Sequence, residues 1–468
     1  MDREGTRATV RASIRARAAT IGGLLLGKDE SASVRQRVLA GIAGLLSLRV
    51  AFGGIAFVVT ILLARLLGAS GLGAYSYALA WVSLLGAPAI LGMDQLLVRE
   101  VAGYQHRREW GLLKGVVQSA TRIVLAVSLP LVVGSAVVAW TLRNATEPET
   151  VPTLLVSLVL IPLIALTRVR QATLQGLHRV VVGSVPERLV LPGILAVLLA
   201  VAWISRTALS APVAMGLNVG ASAVAFIVGA WTLHRHFPAE AKAAPPVYRT
   251  GAWLRAGLPI FLVTGVSVVF NQADLLILGL LRGSSTVGPY GVADKTSDLL
   301  TIVLAAQASA FASTAASLAA QKDTATLQRM ATRLARLTLL ATLPLAIVFI
   351  GFGGPFLSFF YGSAFASARV ALVFLSIGQL VNAGTGLNSM LLVMTGETGQ
   401  AVKVVGTSAA VNVGLNLLLV PRWGMEGAAA ANMISLIVWN VLATIALQRS
   451  TGIHSTALGG LLPRAQKP

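Results

Sequence analysis

The hydrocarbon core of a bilayer is about 30 Å thick, so a helix needs about 20 apolar residues to cross it without leaving backbone groups unpaired in lipid. This chain of 468 residues holds twelve such stretches. In the first half they run Gly41–Leu67, Ala74–Met93, Val116–Trp140, Val151–Thr173, Arg188–Ile204 and Pro212–Leu233. In the second they run Gly257–Leu281, Pro289–Ala312, Leu334–Gly353, Arg369–Thr395, Gln400–Val420 and Met425–Leu447. The expected fold class is all-α, a polytopic membrane protein. Charged residues make up only 12% of the chain, against about 25% in soluble domains, and the mean hydropathy is +0.79. An ordinary soluble globule is excluded.

The net charge of +20 would suggest nucleic acid in a soluble protein. Here it must lie outside the bilayer core, and it lies almost wholly on one side. Of 37 Lys and Arg, 28 fall in the N-terminal stretch to Arg37, in the loops after spans two, four, six and eight, at Lys403 and in the C-terminal tail. Arg143, Arg206, Arg282, Arg369 and Arg422 fall on the other side. Basic loops stay cytoplasmic, so the chain is expected in the cytoplasmic membrane with both termini on the cytoplasmic side. The loops on the opposite face are short, the longest around Thr141–Thr150, and none could house a catalytic domain. That loop holds the sequon Asn144-Ala145-Thr146, which matters only in a cell that N-glycosylates.

With no cysteine, disulfide, thiol and Cys-metal chemistry are excluded. The five His show no metal-ligand spacing, and the close pair His234 and His236 belongs to a solvated basic linker. No phosphate-cradling P-loop is present. The expectation is a transporter without cofactors rather than an enzyme.

A Pro-rich connection containing Pro238, Pro245 and Pro246 divides the spans six and six. The halves echo one another. Gly73-Ala-Tyr75-Ser-Tyr-Ala78 opens span two and Gly288-Pro-Tyr290-Gly-Val-Ala293 opens span eight, 215 residues on. Gln175-Gly176 against Thr395-Gly396, and Arg206 against Arg422, repeat the offset closely. Copies separated by an even number of spans share an orientation, so they are parallel repeats. The organisation expected is a basic N-terminal tail (1–38), an N-lobe (39–236), a cytoplasmic linker (237–254), a C-lobe (255–448) and a C-terminal tail (449–468), with a central cavity between the lobes. The tail places Val10, Ile14 and Ile21 near one helical face and Arg7, Arg11 and Arg15 on another. Two readings stand for it, an interfacial helix on anionic lipids and a tail that only helps set topology.

Ionisable groups at membrane depth are costly and tend to face a cavity. Thr264, Ser267, Asn271 and Asp274 form a stripe on span seven; Tyr290, Asp294, Asp298 and Thr301 form another on span eight, beside Lys295. Gln379, Asn382, Gly386 and Ser389 continue the pattern on span ten, and Ser408, Asn412 and Asn416 on span eleven. The N-lobe is sparser and cationic, with Arg49 on span one and Gln118 and Arg122 on span three. Arg65, near the end of span one, is expected to be a snorkelling anchor. For the Asn and Ser residues, interhelical glue is the competing reading. The expected substrate-cavity residues are Arg49, Arg122, Lys295, Asn271, Asn382 and Asn412. Guanidinium forks suit phosphate oxygens, so the ligand is expected to be anionic at one end. Asp274, Asp294 and Asp298 are the candidates for coupling to H+ or Na+.

Several segments carry a resemblance. They are Leu63-Ala-Arg-Leu-Leu-Gly68 running into Gly71-Leu-Gly-Ala-Tyr75, Gly92-Met-Asp with Val98-Arg-Glu-Val-Ala102, and Leu174-Gln-Gly176. Asp274-Leu-Leu-Ile-Leu-Gly279 leading to Val287-Gly-Pro-Tyr290, and Val420-Pro-Arg-Trp-Gly-Met-Glu-Gly-Ala428, complete the set. Over about Gly41–Arg449 the chain resembles the polysaccharide and oligosaccharide (Wzx-like) flippases of the multidrug, oligosaccharidyl-lipid and polysaccharide exporter superfamily. The resemblance implies twelve helices in two lobes around a V-shaped cavity. It also implies a monomer that moves an isoprenoid-diphosphate-linked glycan by ion-gradient-coupled alternating access. Two departures are visible: Ala310-Phe-Ala312-Ser stands where relatives often have Pro, and the Arg-rich tail is extra. A drug or cation antiporter of the same superfamily would want a more acidic cavity. A peptidoglycan-precursor flippase would have two more helices, and a membrane-embedded glycan polymerase or ligase would need catalytic groups near the outer face.

Overall fold

A computed structural model describes residues 34–457 except 142 and 144–146; the side chains of 34–52 and 313 are not described. The N-terminal tail, the sequon and the Arg49 side chain therefore lie outside the described residues. Among the described residues the structure is helical throughout, without strands.

Among the described residues nine helices are long and apolar enough to cross a membrane, ten when the bent pair Ser284–Ala312 and Thr314–Ala320 is taken as one span. Two of the nine cannot be single crossings. Val34–Ile90 and Thr398–Thr451 hold 57 and 54 residues, about 80 Å or more of helix against a 30 Å core. Each is interrupted by a glycine with non-helical backbone, Gly68 (φ 65, ψ −173) and Gly424 (φ 56, ψ −129). L-residues with a Cβ avoid these conformations, so the glycines end one span and start the next. Divided there, the elements are consistent with the twelve crossings and two lobes expected.

The remaining spans follow local chemistry. Asp323 accepts from the Thr326 backbone N–H at 3.0 Å and so caps the helix Thr324–Tyr361. Span eight is the least regular, with a 3-10 turn at Asp298–Thr301 between the helices Ser284–Ser297 and Ile302–Ala320. Large apolar side chains such as Val133, Ile204, Leu262, Leu340, Phe359 and Leu418 are exposed. That belt would be unfavourable in water and suits lipid.

The two repeat motifs have the same backbone and touch each other. Gly283, which starts span eight, has φ 82 and ψ 167, close to Gly68 at the equivalent position 215 residues earlier. Five residues on, Gly73 and Gly288 bring the two backbones into close approach. A Cβ on Gly73 would lie 1.7 Å from the Ser284 carbonyl oxygen, and one on Gly288 would lie 2.0 Å from that of Ala69. Ala69 and Ser284 are themselves 215 apart. The contact is thus its own image under the repeat, as an isologous contact between subunits would be. It joins the lobes at the less basic end, the outer end in the orientation the charges imply.

Candidate functional site

Span seven enters as Thr250–Arg282 and places Asp274 about 12 Å from its outer terminus. Asp274 is 4% exposed, and four donors converge on it. Its Oδ1 accepts from Asn412 Nδ2 at 3.0 Å and Asn416 Nδ2 at 2.6 Å; its Oδ2 accepts from Tyr290 Oη at 3.0 Å and Asn432 Nδ2 at 2.5 Å. Spans seven, eight, eleven and twelve are tied at one carboxylate. Two oxygens around this knot have no hydrogen-bond partner, Asn416 Oδ1 and Ser408 Oγ. The N-lobe has a reduced version: Asn218 Nδ2 donates to the Tyr75 hydroxyl at 2.6 Å, and Val59 stands where the repeat offset places the mate of Asp274.

The second cluster is open. Lys295 Nζ sits 3.4 Å from Asp294 Oδ2 and 3.1 Å from Asp298 Oδ2, with 59% of its side chain exposed. Ten residues of helix separate Asp294 from Ser284, which puts the triplet near mid-membrane. Lipid would penalise the exposed charges of Lys295 and Asp298 there; a water-filled space between the lobes would not.

The other expected residues scatter. Arg122 lies with its guanidinium carbon 5.3 Å over the Tyr248 ring, and the Tyr248 hydroxyl donates to Gln118 Oε1 at 2.7 Å. The linker therefore covers this part of span three. Asn271 is exposed and bonds back to its own helix at Ser267 O, 2.7 Å away. Asn382 donates to Gln379 Oε1 at 3.2 Å. Asn412 is fully buried at Asp274, so in this conformation it faces a carboxylate and no open space.

Three features were not anticipated. Asn432, a single polar residue after the Ala-rich run Gly427–Ala431, gives no stripe of its own. Arg170 is counted by position among the loop charges after span four, yet it lies inside the helix Leu160–Gly176, is 3% exposed and ion-pairs with Glu187. Arg65 does more than anchor: its Nε donates to Phe360 O at 2.8 Å and its Nη2 to Phe359 O, across to the C-lobe. There it meets the unpaired carbonyls at the end of the helix Thr324–Tyr361.

Glu147 supplies a second tie across the outer end. Its Oε2 accepts from Ser284 Oγ at 2.5 Å and Ser70 Oγ at 3.3 Å, and its Oε1 from the Ser285 backbone N–H at 3.3 Å. Burial pushes this carboxyl up, but the donors from Ser284, Ser285 and Ser70 outweigh it and hold it below the usual glutamate range. A depressed carboxylate contributes above its unfolded value and is lost as pH falls through the folded one. Glu147→Ala is therefore expected to speed hydrogen exchange at Ser285–Val287 near neutral pH. The unmutated chain should show that loosening only in acid, below the ordinary value of about 4.3.

The comparisons decide the family. The polysaccharide biosynthesis protein family profile matches residues 38–312, more than half of the chain. The chain belongs to the polysaccharide biosynthesis protein family. The MatE profile also matches, over residues 259–418. Among curated proteins, this family member is 27% identical over 281 residues to the probable flippase AglR of Haloferax volcanii, and 30% identical over 228 residues to the uncharacterized membrane protein EpsK of Bacillus subtilis. Those matches cover 59% and 47% of this chain and 57% and 43% of the relatives. The chain spans about half the length of the curated relatives it matches.

Solved structures show the fold. An inward-facing multidrug resistance MATE transporter of the MOP superfamily superposes with a TM-score of 0.68 at 14% identity, covering 87% of this chain and 98% of that one. The lipid II flippase MurJ, in an inward closed conformation, also scores 0.68 at 15% identity, covering 86% and 87%. The fold is the one these two transporters share.

Proposed function

We propose that this family member is a flippase for an isoprenoid-diphosphate-linked oligosaccharide or polysaccharide precursor, working in the cytoplasmic membrane with both termini inside. The observation that carries the reading is the exposed Lys295, held between Asp294 and Asp298 at mid-membrane depth. A charged, open position there suits a substrate whose headgroup is polar while its tail stays in lipid; the two carboxylates leave the triplet at net −1, so an anionic headgroup needs a further cation beside Lys295. Arg49, which the sequence places on span one, is proposed as that further cation for diphosphate oxygens; Arg122, Asn271 and Asn382 are assigned to the path of the glycan.

Asp274 is the proposed coupling residue, with Asp294 and Asp298 as secondary acids. The coupling ion is H+ or Na+, either of which would have to displace the donors that now hold this carboxylate. Moving one charge across the membrane yields about 2.3 kcal/mol per 100 mV, enough to bias a two-state cycle.

Proteoliposomes containing a fluorescent isoprenoid-diphosphate sugar test the reading. The protein should move the label to the opposite leaflet faster than protein-free liposomes do, and Lys295→Gln should slow it about tenfold or more, the loss of one charge-assisted contact. No movement of that lipid, together with efflux of cationic dyes, would instead favour the antiporter.

A further inference from the structure

The C-lobe carries a recess of about 370 Å³ at its basic end, between the start of span eleven and the end of span twelve. Lys403, Thr407 and Gln400 line one wall; Arg449, Ile445 and Leu442 line the other. No Asp or Glu is among its lining residues, and neither Lys403 nor Arg449 forms an ion pair among the described residues.

The repeat supplies an internal comparison. Arg188 precedes Lys403 by 215 residues and Arg235 precedes Arg449 by 214, so both lobes set basic residues at these helix ends. In the N-lobe they have neighbours. Glu187, paired with Arg170, puts a carboxylate into the recess that Arg188 lines, and the Arg235 guanidinium lies 4.2 Å over the Trp231 ring. In the C-lobe the position equivalent to Glu187 is Val402, which is exposed and apolar.

We propose that the C-lobe recess binds the headgroup of an anionic phospholipid from the leaflet on the basic side, with its phosphate between Lys403 and Arg449. Charge complementarity argues for the phosphate, since two cations without counter-charges gain most from an anion at the interface. The wall argues for a lipid rather than a free ion. Leu442 and Ile445 continue from the cations toward the bilayer, and Ile445 and Val402 are exposed along the way. An acyl chain can lie there while the phosphate is held, which inorganic phosphate cannot exploit.

The cysteine-free chain makes a direct test possible. Ser450→Cys, at the rim of the recess, is labelled with a fluorophore in the full-length protein and reconstituted into phosphatidylcholine vesicles. A minor fraction of brominated-acyl phosphatidylglycerol is then compared with the same fraction of brominated phosphatidylcholine. Phosphatidylglycerol should quench in clear excess. The double variant Lys403→Gln, Arg449→Gln should need roughly thirty-fold more phosphatidylglycerol for equal quenching, while Arg188→Gln, Arg235→Gln should behave as the parent. Equal quenching by the two lipids would overturn the proposal. Inorganic phosphate abolishing the excess at moderate concentration would also overturn it, by making the site a phosphate site. Neither result bears on glycan flipping, which a separate assay reads.

Discussion

Asp274→Leu is expected to be the most destabilising single change in the C-lobe, lowering the melting temperature of the purified protein by more than any other stripe substitution. The side chain accepts from four donors carried by three other spans. Leucine has the branching of aspartate, with bulkier methyl groups in place of the two oxygens, and accepts nothing, so four buried donors would lose their partner at once. Each such donor costs about 1–3 kcal/mol. The four share one acceptor and relax together, so their costs do not add, and a total of about 4 kcal/mol is a reasonable expectation.

Asp274→Asn separates stability from coupling. Either oxygen of the carboxylate faces two donors, so the amide nitrogen would oppose two of the four and leave the other two satisfied. About half the loss is expected in melting temperature, and flipping in liposomes should stop responding to an imposed ion gradient. Asn432→Ala removes one donor and should cost about 1 kcal/mol. A melting temperature unchanged by Asp274→Leu would mean that the four spans do not meet at this residue. A response to ion gradients retained in Asp274→Asn would remove Asp274 from coupling.

Much of this arrangement is legible in the sequence because helical spacing is local. Ser408, Asn412 and Asn416 fall on one face by their i+4 steps, and the structure gives them one buried face. Twelve apolar stretches and their alternating charge follow equally from short windows. What the windows cannot supply is the partner. Asn432 meets Asp274 across 158 residues of chain, and nothing within the Ala-rich start of span twelve marks it. Position along the chain also misreads Arg170. Placed near a span end it counts as a loop charge, but helix rotation turns it inward to Glu187, where the neighbouring spans hide it. The repeat is the exception, a long-range relation that sequence offset alone exposes. Its offset of 215 recurs in the φ of Gly68 and Gly283 and in the reciprocal contact of Gly73 with Ser284 and Gly288 with Ala69.

That reciprocity leads to the second large effect. Gly73→Leu should force the two lobes apart at the outer end, and Gly288→Leu should do the same. In each case the new Cβ would fall within 2.0 Å of a backbone carbonyl oxygen, and a backbone atom cannot rotate away as a side-chain terminus can. The helices must separate by about 1.5 Å or more to restore ordinary contact near 3.5 Å. Shifts of that size stretch the Thr150–Ser284 and Glu147–Ser284 hydrogen bonds, now 3.2 and 2.5 Å, past useful length. Ser284 is 4% exposed with the outer end closed. A cysteine placed there in this cysteine-free chain should react slowly with a membrane-impermeant maleimide, and at least about tenfold faster once either glycine is replaced, corresponding to about 1.4 kcal/mol of bias toward the open end. Gly216→Leu is the control, since a Cβ there meets nothing within 4 Å. Because the contact is its own image under the repeat, the two glycine variants must give the same direction of change. If only one of them exposes Ser284, the seam is not the symmetric pivot between lobes that the geometry describes.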